Sequence, residues 1–170
     1  MSKFRVHKSV VQSVDAIVEA LIDRIVQWNC RNVPAKDREQ QVKLWTEKAT
    51  KLVAEKVQVC LDEPVNLYGY QNDRRDEQAH IRIPKEVVNQ HLGGGLSNDA
   101  GFRKTEEGFE AIVSDYDKSK WWNAQEGRFW QQAAAKEAED LAWLQPNVIG
   151  VERVENEETG FIEIMCTVQD

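Results

Sequence analysis

The chain has 170 residues, 41% hydrophobic and 30% charged, with Lys+Arg 22, Asp+Glu 29 and a net charge of -7. That length supplies one core rather than two, the apolar fraction excludes general disorder, and no stretch approaches the roughly 18 apolar residues of a membrane helix. Residues 1–60 hold 11 Lys/Arg and 7 Asp/Glu while residues 61–170 hold 11 and 22, an acidic balance that disfavours nucleic acid as a partner.

Residues 4–11 alternate well enough for a short strand. Ser13 follows as an N-cap, since its hydroxyl can accept from the free amides of a first helical turn. Val14, Ile17, Val18, Leu21, Ile22, Ile25 and Trp28 then recur at three- and four-residue steps, the period of an amphipathic helix. Pro34 and the polar stretch to Asp37 break it. A second helix carries Val42, Trp45, Ala49, Leu52 and Val53 on one stripe with lysines elsewhere, so residues 13–57 are expected to form an antiparallel helical pair.

From Val59 the period falls to two. Residues 65–70 read as a strand preceded by Pro64, residues 72–77 as a charged connection, and residues 79–83 as a second strand. Pro84 opens a short helix to Leu92, because its missing amide costs nothing at the start. Gly93-Gly94-Gly95 stops that helix and, with Ser97-Asn98-Asp99, predicts a flexible loop. Residues 102–105 and 109–113 form a hairpin around Glu106-Glu107-Gly108. A third long helix spans about 127–144, rich in alanine and ended by Pro146. Residues 148–154 and 161–168 close the chain as a second hairpin, with Ile162, Ile164, Cys166 and Val168 on one face, expected to be buried. The order β-αα-ββ-(α)-ββ-α-ββ describes one α+β domain over 1–170, a mainly antiparallel sheet with helices packed on one face.

Several short matches occur in the same order as in a known family. They are Met1-Ser2-Lys3-Phe4, Gly69-Tyr70-Gln71 at a strand end, Gly101-Phe102, and the aromatic-acidic strand from Phe109 to Asp117. On these the chain resembles the hypothetical chloroplast reading frame thirty-five family of plastids, cyanobacteria, bacteria and phages, over its start and residues 65–170. It departs from that pattern in Lys3, where members carry His, and in lacking a Gln-Arg-Tyr-Ala in the last helix; the helix near 37–57 looks like an insertion. The resemblance implies a small α+β protein of unproven activity. It also implies an adaptor or accessory subunit whose partner is an AAA-type ATPase, beside which bacterial relatives are often encoded.

The residues themselves offer little catalytic chemistry. His7, His80 and His91 stand apart from any cysteine at ligand spacing, and the carboxylates around His80 (Asp73, Asp76, Glu77) share their loop with Arg74 and Arg75, which argues for a solvated turn over a cation site. Cys30, Cys60 and Cys166 form no C-x-x-C, and Cys166 reads as a core thiol. The glycine run lies after a helix, not between strand and helix, and so lacks both phosphate-loop templates. No cofactor or metal site is expected. Unpaired cysteines and a start without an apolar signal region suggest the cytoplasm. Six tryptophans are many for this length, and adjacent Trp121 and Trp122 cannot both face one core. The leading expectation is therefore a non-enzymatic protein-binding module with Trp121 and Trp122 as anchors and Asp115, Asp117 and Glu110 as polar rim. The alternative is capture of a small molecule or nucleotide between the sheet and the glycine loop, with Tyr70, Arg103 and Lys104 as contacts. A hydrolase or metal enzyme at His80 and Asp76 is a third.

Overall fold

The computed structural model describes residues 4–8, 13–117, 129–155 and 162–169. The first long helix, α1 (Val14–Asn29), begins where Ser13 Oγ accepts from the Ala16 amide at 3.2 Å and buries Ile17, Leu21 and Ile25 at helical spacing. Helix α2 (Arg38–Lys56) packs against it through buried Ala49 and Val53, with Val42, Trp45 and Leu52 half-buried at the contact. The helical pair expected over 13–57 is present.

Strand β1 (Phe4–Lys8) lies at one edge of a five-stranded antiparallel sheet of order β1-β7-β6-β5-β2. The others are β2 (Gln58–Val59), β5 (Ile81–Ile83), β6 (Ala100–Thr105) and β7 (Gly108–Ser114). Strand alternation sends Ile81, Ile83, Phe102, Phe109, Ala111 and Val113 into one core with α1. Helix α3 (Lys85–His91) adds Val88 to that core, and α4 (Phe129–Trp143) adds Ala133. Helices thus cover one face of the sheet, an α+β architecture. No described helix is long and apolar enough to cross a membrane.

The opposite face carries a separate two-stranded sheet, β3 (Val65–Tyr68) with β4 (Arg74–Ala79). Leu67 and Ala79 meet Ile112 of β7 there. Gly101 is what lets this layer close in: a Cβ on it would lie 2.5 Å from that of Ala79 and 2.8 Å from the Ile81 carbonyl oxygen. Strand β4 corrects the charged connection expected over 72–77. Its residues alternate between exposed and half-buried on an outer hairpin, so charged side chains occupy both faces and no apolar period marks the strand.

The closing hairpin, β8 (Val148–Glu155) with β9 (Ile162–Val168), also forms its own two-stranded sheet and packs on α4, where Arg153 Nε donates to Glu139 Oε1. This overturns the expectation of a buried last strand. Ile164 is half-buried, whereas Cys166 and Val168 are exposed, because a hairpin outside the main sheet has no second layer to hide its apolar alternation.

Candidate functional site

Between α3 and β6 the chain is tied down rather than loose. Gly93 sits at φ +66 with the Trp28 ring where a side chain would stand, and Asn89 holds Leu96 through both its carboxamide atoms, at 2.6 and 3.0 Å. The expected flexible loop is therefore a pinned connection, and two buried carboxylates finish the pinning. Asp99 Oδ2 accepts from the Tyr68 amide at 2.9 Å and from Arg82 Nε at 2.7 Å, while Oδ1 accepts from the Lys85 amide at 2.9 Å. Asp117 accepts from the Ser97 and Asn98 amides, each at 2.9 Å, and from Asn98 Nδ2 at 3.0 Å. Each carboxylate thus joins segments far apart in sequence, and charge-assisted bonds of this kind are the strong ones.

Facing this connection is the tight turn that leaves β3. The Gly69 amide donates to the Asp73 carbonyl at 2.8 Å, and Gln71 and Asn72 both adopt φ 60, the left-handed region that a glutamine seldom enters. Lys85 Nζ braces the turn by donating to Asn72 Oδ1 at 2.7 Å. A cleft of about 790 Å3 opens between the two, walled by Tyr70, Gln71 and Asp73 on one side and by Ser97, Asn98 and Tyr116 on the other, with Arg75 beneath. Tyr70 is 66% exposed and Tyr116 56%, whereas Asn98 is 2% exposed. Arg75 Nε lies 3.5 Å from Asp73 Oδ2, an ion pair without a hydrogen bond, and neither that nitrogen nor Asn98 Oδ1 has a hydrogen-bond partner among the described residues. A concave surface of this size with two exposed aromatic rings marks a candidate binding site better than any sequence motif here.

A second cleft, about 840 Å3, lies over the connection from β2 to β3. Several of its polar side chains bond one another: Arg74 and Gln78 donate to Asn66 Oδ1, and Arg82 donates to Gln58 Oε1 while stacking 4.9 Å from the Tyr68 ring.

The structure separates most of the residues singled out from sequence. Trp121 and Trp122 lie outside the described residues. Asp117 is buried, with both oxygens engaged in holding the connection, rather than standing on a rim. Asp115 is half-buried, and Glu110 accepts from Arg103 across the β6–β7 ladder at 3.1 Å. Of Tyr70, Arg103 and Lys104, only Tyr70 lines the cleft. Among the described residues no three His, Cys, Asp or Glu side chains gather where they could hold a metal ion. Arg75 and Asn98 were missed because one stands in a stretch read as a solvated turn and the other in a stretch read as loose. The available signal was Gly69-Tyr70-Gln71, a glycine set between two tyrosines at a strand end. No family model, curated protein or solved structure matches the chain.

His80 plays a structural part. Its Nδ1 accepts from the Lys104 amide at 2.8 Å, and burial, with Lys104 and Arg103 nearby, holds its pKa below the usual 6.5. As pH falls the unfolded chain takes the proton first, so this contribution is complete above about pH 6.5 and is lost below it. Urea midpoints are expected to drop more steeply between pH 7 and 5 in the wild type than in His80→Asn, whose amide oxygen accepts without titrating. Parallel curves would show that the imidazole does not contribute.

Proposed function

We propose that this protein is a non-catalytic binding module that captures a planar small molecule between Tyr70 and Tyr116. The observation that carries the reading is the cleft itself, about 790 Å3 in volume and lined by two exposed tyrosines. Tyrosine rings add large apolar faces suited to stacking. The adaptor reading, with an AAA-type ATPase as partner, draws its support from the family resemblance and from Trp121 and Trp122; the cleft gives ligand capture a geometry of its own. Three free thiols support a reducing compartment, and we place the protein in the cytoplasm.

Thermal unfolding with ribonucleosides, nicotinamide, tryptophan and riboflavin tests the reading. At 100 times its Kd a ligand adds about 2.7 kcal/mol, a rise in Tm of roughly 5 °C or more for a chain of this size. At least one compound is expected to give that rise, and the double variant Tyr70→Ala with Tyr116→Ala to abolish it while folding normally, since both rings are exposed. A Tm indifferent to every compound would remove the proposal.

A further inference from the structure

We propose that the seam between α1 and α4 is a proton-operated latch: Glu19 of α1 and Asp140 of α4 share one proton while α4, carrying the closing hairpin, lies shut on α1, and loss of that proton loosens α4. The latch uses no residue of the cleft, so its failure would leave the ligand reading untouched. Helix α4 packs on α1. Among its described side chains, those it buries are alanines (Ala133, Ala135 and Ala142), which give little apolar area to hold a helix in place. The hairpin packs in turn on α4, where Arg153 of β8 donates to Glu139. Charges across the seam therefore weigh heavily on whether α4 stays docked.

Asp15, Glu19 and Asp23 recur at four-residue steps and form one stripe along α1. Glu19 meets Asp140 within hydrogen-bonding reach, with Lys136 of α4 and Asp15 of its own helix nearby. Asp23 meets Lys136 and Glu139 of α4 and Arg153 of β8. Among these groups the carboxylates outnumber the cations. Glu19 Oε2 is sealed from solvent, and no donor among the described residues reaches it. Two ionised carboxylates can only accept, so a pair at this range is stable when one proton lies between them. Asp140 is exposed, which gives that proton a route to water. Burial first, then the Asp140 charge, raises the Glu19 pKa above its usual 4.5, against the pull of Lys136. Burial likewise raises Asp23, with Glu139 adding to the effect and Lys136 and Arg153 opposing it. The docked seam thus holds its proton more tightly than the open one. Docking strengthens as pH falls; the contribution is complete below about 4.5 and is lost as pH rises through the raised value. The His80 contribution runs the other way, so acid tightens α4 while it weakens the tie from His80 to β6.

Titration of the side-chain carboxyl carbons of the full chain by NMR reads the proton directly. Glu19 is expected to titrate above 4.5, with Asp140 responding to the same step. In Asp140→Asn, whose amide nitrogen donates to an ionised Glu19, the Glu19 midpoint should come to 4.5 or below. Hydrogen exchange reads the docking. With intrinsic rates divided out, protection of the α4 amides should be about threefold or more greater at pH 5 than at pH 7, while that of β6 and β7 does not rise. Glu19→Gln, which supplies a donor without titrating, should give α4 the same protection at both pH values. The wild-type measurements stand even if neither variant folds. A Glu19 midpoint at or below 4.5 in the wild type would overturn the latch. So would α4 protection that is level or falls toward pH 5, a rise shared equally by β6 and β7, or an unchanged pH response in Glu19→Gln.

Discussion

Replacing Asp99 by Ala is expected to remove about 3–5 kcal/mol of folding stability, the usual consequence of deleting one member of a buried, hydrogen-bonded charge pair. The side chain is fully buried, and three donors from three elements converge on it: the amides of Tyr68 and Lys85 and the guanidinium of Arg82. After truncation those donors have no acceptor and too little space for full hydration. Asp99→Asn should cost less, about 1–3 kcal/mol, since one oxygen remains but its amide nitrogen faces a donor. The urea midpoint at unchanged slope is the measurement. A loss below about 1 kcal/mol for the Ala variant would mean that Tyr68, Arg82 and Lys85 find other partners and that Asp99 does not organise the site.

Phe102→Ala is expected to cost a similar 3–5 kcal/mol, for a different reason. Phe102 is completely buried in the middle of the sheet, opposite Ile81 on one side and Ala111 on the other, in the core shared with Ile17, Leu21 and Ile25 of α1. Its neighbours are held by the ladder and cannot collapse into the vacated volume. Phe102→Leu, which refills most of that volume, should lose distinctly less. If the two variants unfold at the same urea concentration, the space around this ring is not rigid.

The contrast between these two residues shows what the sequence could and could not convey. The helices of the paired unit were legible because Ile17, Leu21 and Ile25 repeat at the helical period against a single core. The β6–β7 hairpin was legible because its two-residue loop, Glu106-Glu107, leaves Thr105 opposite Gly108. Strand β4 was not, since an outer hairpin needs little apolar alternation, and β9 was misjudged because it belongs to a separate hairpin on which Cys166 and Val168 stay exposed. The site was harder still. Asp99 and Asp117 are ordinary acidic residues in a chain with 29 of them, and their importance lies in donors that arrive from other segments. Gly69-Tyr70-Gln71 was visible as a motif, yet the position of Arg75 and Asn98 beside Gly69 depends on the turn and the pinned connection meeting in space.

The pairing of β1 with β7 has a bearing on biosynthesis. Phe4 lies opposite Ser114, so the first strand leaves the ribosome long before its neighbour exists. At roughly 5–20 residues per second that interval is about 5–20 s, during which the emerging strand edge is exposed to chaperones and to other nascent chains. The two helices that follow contact each other locally and can settle in the meantime. Translation order therefore makes both helices available before β1 can pair, and the sheet closes at its margin only after Ser114 has cleared the exit tunnel.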